Sequence, residues 1–327
     1  MAEYKAIKGF QVQTRTEDPS EGIVGDFYYN STDGLFKNIS TGVGSWSSGT
    51  SLGSASGGRG GAGPYHAAIA FGGTGSPPTS AQSLTEYYDG SSWSEQSDMN
   101  TARFMMCPAQ QGSQTAALAA TGTTGPTDGV LNELWNGSAW TEVNETNATH
   151  AYAAGAGTST AALAIGAGPS PRAIVESWDG SNWTEIAEIN EGRYFEQAAG
   201  TQTAALIFGG DPGSSFTNKT ESWDGSSWTE VNELNTARST GGGFGTQTSA
   251  IMATGYTPSF VANTEQWDGT SWTEVNDVGT ARNRPGSNGA TATAGLIVGG
   301  YSAAPAIVTN VEEWEIPDFT IKTVTTS

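Results

Sequence analysis

A pair of aromatic side chains five residues apart recurs along this chain: Tyr88/Trp93, Trp135/Trp140, Trp178/Trp183, Trp223/Trp228 and Trp267/Trp272. Trp314 is a further first member whose tryptophan partner is missing. The first members follow one another at 47, 43, 45, 44 and 47 residues. Ahead of each lies a small pair closing a short apolar run: Gly72-Gly73, Thr121-Gly122, Gly166-Ala167, Gly209-Gly210, Thr254-Gly255 and Gly299-Gly300. The runs read HAAIAF, AALAA, AALAI, AALIF, AIMA and AGLIV. Self-similarity at this period narrows the possible folds sharply, because a unit of about 45 residues cannot bury an apolar face alone and must stack on its neighbours. Six such repeats fit between roughly residues 50 and 316.

Each repeat reads as a four-stranded β-meander. The apolar run has little polar alternation, which suits a second strand buried on both faces. The Gly pair after it permits a sharp turn or a close backbone approach. The aromatic pair with Asp-Gly between, as in Trp223-Asp224-Gly225-Ser226-Ser227-Trp228, reads as a hairpin. The chain is therefore expected to be all-β, a six-bladed β-propeller whose closed ring leaves only short edges. A stacked solenoid fits less well, because the repeats lack the short strand-per-turn period of a β-helix.

Repeat six stops at Trp314 and lacks an outer strand. Ser45-Trp46-Ser47-Ser48 matches the position of SSWTE elsewhere and is the favoured filler; the tail 318–327, with Phe319 and Ile321 on one face, is the alternative. The expected division is an N-terminal arm and hairpin over 1–44, serving attachment, and a propeller over 45–327. The hairpin at 25–39, turning at Asp33-Gly34, is expected outside the last blade. Residues 1–24 match no repeat and read as a loose arm or an anchor.

Charge excludes several partners. Thirteen basic against 33 acidic side chains give a net charge of −20, which repels nucleic acid and anionic membranes. No apolar run approaches the ~18 residues of a membrane-spanning helix, so no membrane insertion is expected. The start, MAEYKAIKGF, lacks a signal-peptide core. A lone Cys107 excludes a disulfide framework within the chain, and two histidines, His66 and His150, leave little for metal binding; no metal and no cofactor are expected.

One column of residues invites a site. Ser56, Arg103, His150, Arg193, Arg238 and Arg282 each stand just before the first strand of a repeat, where a propeller would gather them around one mouth of its channel. Four guanidiniums and an imidazole there could hold carboxylates, sulfates or phosphates. Each could equally pair with its own repeat's acid, since Glu86, Glu133, Glu176, Glu221, Glu265 and Glu312 precede the first aromatic. Those six glutamates, the turn residues Asp89, Asp179, Asp224 and Asp268, and Glu95, Glu142, Glu185, Glu230 and Glu274 make up fifteen of the 33 acids. Turn carboxylates could collect Ca²⁺, but no loop concentrates them, so solvated turns are the simpler reading. The eleven blade aromatics from Tyr88 to Trp314 read as packing, with sugar stacking reserved for any outer member left exposed. No Ser-His-Asp pattern, phosphate loop or HExxH occurs, and no catalytic residue is expected.

The order apolar run, Gly-Gly, aromatic, then Trp resembles the kelch motif, over about four-fifths of the chain. Trp178-Asp179, Trp223-Asp224 and Trp267-Asp268 suggest WD40 superficially, but the Gly-His pair of that family is missing. Repeats two and five depart from kelch in having Thr for the first Gly, and repeat three in having Ala for the second. The Cys-linked Tyr and paired His that kelch-type copper oxidases need have no counterpart by pattern, and SWDGSSW departs from a sialidase Asp box in its adjacent Asp and Gly. Segments GTQTAALIFGG (200–210) and TESWDGSSWTEVNELNTAR (220–238) resemble repeat proteins from virion structural genes of tailed, notably marine, bacteriophages. GDFYYNSTDGLFK (25–37) resembles the hairpin opening many phage tail-fibre and appendage proteins. The resemblance implies a non-catalytic virion structural protein at the particle surface, in a tail, baseplate or capsid appendage. It would be present in multiple copies, joined to other virion proteins by its N-terminal segment and facing host-surface glycan. The alternative is a cytoplasmic kelch-type scaffold gripping a partner protein.

Overall fold

The computed structural model describes residues 12–40, 42–75, 80–125, 129–168, 172–303 and 306–324. Among these, every regular element is a strand, and no helix is long and apolar enough to cross a membrane. The chain forms two units: residues 46–315, and a smaller one combining 1–45 with 316–327.

In the larger unit the repeat becomes a four-stranded antiparallel sheet. In the fourth repeat Gln197–Thr201 pairs with Ala204–Phe208, which pairs with Thr220–Trp223, which pairs with Trp228–Val231. The apolar run is the second strand, and its lack of alternation has a direct cause. Ala205 and Ile207 enter the cluster shared with the preceding sheet, while Leu206 and Phe208 enter the cluster shared with the following one. Both faces of that strand are therefore core. The apolar clusters as a whole lie between neighbouring sheets, and one of them joins the sixth sheet (Leu296, Val298, Val311) to the first (Ala68, Ala70, Tyr88).

The first strands of successive sheets, Gly60–Ala62, Cys107–Pro108, Ala154–Thr158, Gln197–Thr201, Gly242–Thr246 and Gly286–Thr291, each neighbour the next, and the last neighbours the first. The arrangement is a β-propeller. Backbone hydrogen bonds run head to tail around the entrance to these strands. Met105 N–H donates to Gly58 O (2.9 Å), Tyr152 to Met105 (3.2 Å), Phe195 to Tyr152 (2.7 Å), Thr240 to Phe195 (3.0 Å), Arg284 to Thr240 (2.7 Å) and Gly58 to Arg284 (2.8 Å). All six residues have a left-handed backbone, with φ between 48° and 65°.

The gap in repeat six is filled from the other end of the repeat array. Ser45–Gly49 is the outer strand on Val311–Glu315. The Trp46 ring lies 5.3 Å from Trp314, matching 5.2 Å for Trp223/Trp228 and 5.5 Å for Trp267/Trp272. Its indole N–H donates to Thr264 Oγ1 of the preceding sheet, as Trp272 does to Thr220 and Trp140 to Thr85. Trp46 is thus the absent partner of Trp314.

The smaller unit corrects two expectations. The expected hairpin forms as Phe27–Asn30/Leu35–Ser40, in a sheet of its own with Gln13–Arg15 and Thr320–Thr323. The tail belongs there too, so residues 316–327 leave the domain expected over 45–327; Ile321 pairs with Ile39 and helps cover that fully buried side chain. Gln13–Arg15 is a strand paired in parallel with Tyr28–Asn30 rather than part of a loose arm; residues 1–11 lie outside the described residues.

The two Thr departures have a cost that one of them offsets. The first member of every small pair has positive φ, including Thr121 (56°) and Thr254 (60°), a conformation that disfavours β-branched residues. Thr121 Oγ1 donates to His150 O at 2.7 Å, whereas the buried Thr254 Oγ1 has no partner. Thr254→Gly should therefore raise unfolding free energy by about 1 kcal/mol in urea titrations. Thr121→Gly should gain nothing, because it gives up a buried hydrogen bond.

Candidate functional site

The predicted mouth residues are not at a mouth. Arg103, His150, Arg193, Arg238 and Arg282 are at most 1% exposed. Each meets the glutamate of the sheet it enters: Arg103–Glu133 3.0 Å, His150–Glu176 3.2 Å, Arg193–Glu221 2.9 Å, Arg238–Glu265 2.8 Å and Arg282–Glu312 2.8 Å. The other carboxylate oxygen is taken from the same connecting segment, for example by Asn235 N–H (2.7 Å) and Asn235 Nδ2 (2.9 Å) on Glu265. The Asn-Thr-Ala-Arg segment is thereby clamped to the third strand of the sheet that follows it. Burial pulls the Arg103 guanidinium down to about 10, with the Glu133 charge opposing. These side chains have no free face for a ligand.

Ser56 breaks the column, and Arg59 replaces it from three residues on, with Nη1 2.5 Å from Glu86 Oε2. This leaves Arg59 with unfinished business at Nε and Nη2, which have no partner. Arg59 is also among the residues around a central cavity of about 60 Å³, though both of these nitrogens are themselves buried. All six sheets contribute to its wall, with Met105, Tyr152, Phe195, Thr240 and Arg284 of the hydrogen-bonded ring around it. Gln110 also lines it and reaches Ser287 Oγ (3.3 Å), while the adjacent Gln111 reaches Gly245 O (2.6 Å) and Ala290 O (3.2 Å) on distant sheets. Glu196 lies in the wall, 1% exposed, with Oε1 accepting from Ala154 N–H at 3.3 Å and Oε2 unpartnered. Burial pushes its carboxyl up to about 8.

Arg59 and Glu196 escaped the sequence reading, yet a signal existed. Three residues after the Arg/His column runs another: Arg59, Met106, Ala153, Glu196, Gly241 and Pro285. Two ionisable residues in an otherwise small or apolar column stand out once the propeller frame is known.

The remaining candidates are structural. The outer aromatics Trp140, Trp183, Trp228 and Trp272 are buried, and Trp46 and Trp93 are half-buried, so no outer member is left open as a sugar-stacking platform. Of the inner members, Tyr88, Trp135, Trp178, Trp223, Trp267 and Trp314 are all buried. The turn acids cap their own hairpins: Asp224 Oδ1 accepts from Ser226 and Ser227 N–H, both at 2.8 Å. Among the described residues no three potential ligands gather to hold a metal ion. Burial pushes the Cys107 thiol up to about 12, which keeps it from acting as a thiolate nucleophile.

No protein-family model matches the sequence, and no curated protein matches it. Among solved structures the chain is similar to that of YjhT, with a TM-score of 0.66 and 13% identity over 84% of this chain and 99% of that one. The likeness is one of fold, and the fold is the β-propeller.

Two outcomes follow from these environments. Arg238→Met leaves Glu265 buried without its cation and should cost about 3–5 kcal/mol in urea unfolding, most of it recovered by adding Glu265→Gln. Glu196 should make stability fall as pH rises. Between its ordinary value of 4.5 and about 8 the folded state holds a proton that the unfolded chain has released. Glu196→Gln removes that dependence, so its advantage over wild type should grow across pH 5 to 8, on the order of a few kcal/mol, and level off above.

Proposed function

We propose that this chain is a non-catalytic, six-bladed kelch-like propeller that serves as a structural component of a tailed-phage particle, attached through the unit built from its two ends. The virion assignment rests on the resemblance of residues 25–37, 200–210 and 220–238. The observation that carries the attachment reading is where apolar surface is left open. Every large hydrophobic side chain found exposed among the described residues belongs to the smaller unit: Val12, Ile23, Val24, Phe27, Leu35, Phe36, Val43 and Val324. The propeller, almost five times longer, has none among them. Phe27 and Phe36 stack at 5.5 Å, with Tyr29 5.1 Å from Phe36 and Val324 N–H bonded to Phe36 O. An apolar sheet face of this kind is what an assembly contact requires.

The non-catalytic reading is supported by the consumption of the charged columns in buried pairs. Host-glycan contact falls to loop aromatics such as Phe216, Tyr256 and Phe260, which are half-buried, with the Tyr256 ring 5.5 Å from Phe216 and 5.8 Å from Phe260. Electron cryomicroscopy of particles from the source should find the propeller as a multi-copy appendage. Phe27→Ser with Phe36→Ser should abolish incorporation while leaving the melting of the propeller unchanged. Absence of the chain from particles, together with recovery on a cellular partner, would favour the cytoplasmic scaffold.

A further inference from the structure

Two Asn-Gly pairs occur in the chain, Asn136-Gly137 and Asn288-Gly289, and the fold treats them in opposite ways. Glycine has no side chain to shield its backbone nitrogen, so in either pair that nitrogen could attack the side-chain carbonyl of the asparagine. Asn136 is exposed, in the hairpin turn between the paired Trp135 and Trp140. Its side chain reaches forward past Gly137: Oδ1 accepts from Ser138 N–H (2.9 Å), Ser138 Oγ (2.9 Å) and Ala139 N–H (3.0 Å). Asn136 Nδ2 and the Gly137 N–H take part in no hydrogen bond among the described residues. Asn288 is the reverse. It is fully buried, its Nδ2 donates to Ala62 O (2.8 Å) and Ile69 O (2.9 Å), and its Oδ1 has no partner.

We propose that the Asn136-Gly137 turn is a site of spontaneous deamidation, promoted by the same hydrogen bonds that cap the hairpin. The Gly137 nitrogen attacks Asn136 Cγ and closes a succinimide ring. The bond from Cγ to Nδ2 breaks, and that nitrogen leaves as ammonia with the proton Gly137 gives up. Negative charge develops on Oδ1 during the attack, where three donors already point. Solvent water then opens the ring. Addition at the side-chain carbonyl gives aspartate at position 136, and addition at the main-chain carbonyl gives an isoaspartyl link. The net change is one water consumed, one ammonia released and one negative charge gained. The hairpin suits the aspartate, because Asp89, Asp179, Asp224 and Asp268 hold the equivalent place in their repeats. Each is followed by a glycine with φ between 91° and 94°, and Gly137 has φ 94°. Donors from Ser92 and Ser91 pull the Asp89 carboxyl down to about 2, and those from Ser226 and Ser227 do the same for Asp224. An isoaspartyl link adds a backbone atom between Trp135 and Trp140 and disturbs their pairing. Asn288, with its leaving group held, no donor on its oxygen and no solvent, keeps its amide.

The test is peptide mapping by mass spectrometry of the full chain held at mildly alkaline pH, both folded and unfolded in guanidinium chloride. In the folded chain Asn136 should lose its amide faster than Asn288 by a factor on the order of ten or more, since the buried site reacts only when it opens. In guanidinium chloride the two sites should react alike, and folding should leave the rate at Asn136 undiminished. The product should be mainly aspartate with a smaller isoaspartyl fraction, which direct hydrolysis of the amide cannot produce. Slower reaction of Asn136 in the folded chain than in the unfolded one, equal conversion of Asn288 in the folded chain, or a product free of isoaspartyl would each overturn the proposal.

Discussion

Six backbone hydrogen bonds, each from the N–H of one left-handed residue to the carbonyl of its counterpart in the preceding sheet, tie the first strands into a closed circle. Five of the six residues carry side chains, which makes the conformation unfavourable for each of them alone. Only a closed circuit, in which every donor meets an acceptor fixed by a neighbour, holds them there. Gly58 is the one position where the geometry is free of that strain. Everything outward from this circle, including the pitch between sheets and the apolar clusters in the gaps, depends on its closing.

The clamp between arginine and glutamate explains why a chain so poor in cations spends them in its interior. Each connecting segment must cross from the outer edge of one sheet to the centre of the next, and its backbone needs buried partners on arrival. A glutamate that accepts from Asn N–H, Asn Nδ2 and an Arg provides them at once, as Glu221 does for Asn190 and Arg193. A buried pair of this kind adds little net stability over an apolar substitute, but it fixes where the segment lands. The same logic explains Arg59, which supplies a guanidinium to Glu86 from a new position when Ser56 cannot.

The distribution of surface separates the two units by task. The propeller packs its aromatics inward and leaves polar turns outside, with the Asp carboxylates capping their own hairpins. The terminal sheet does the reverse on one face, leaving Phe27 and Phe36 in water while Tyr28, Lys37 and Ile39 on the other are buried. The proposed attachment role follows from that contrast rather than from the repeats.

The repeats, the strand order within each sheet and the use of Trp46 to complete the last one were all legible in the sequence, because periodic packing writes a periodic pattern. Gly pairs, Asp-Gly turns and aromatic spacings are local requirements of backbone and side chain, and local requirements appear as local text. The fate of the arginine column was not legible, since the same spacing serves a ring open to ligand or five buried pairs; burial decided it. That Arg59 takes over from Ser56 as the cation for Glu86 was hidden too, because the spacing of the column puts that cation at position 56. The union of residues 12–40 with the tail was likewise a tertiary decision, made by Ile39 needing cover from a strand almost 300 residues away, beyond the reach of any repeat.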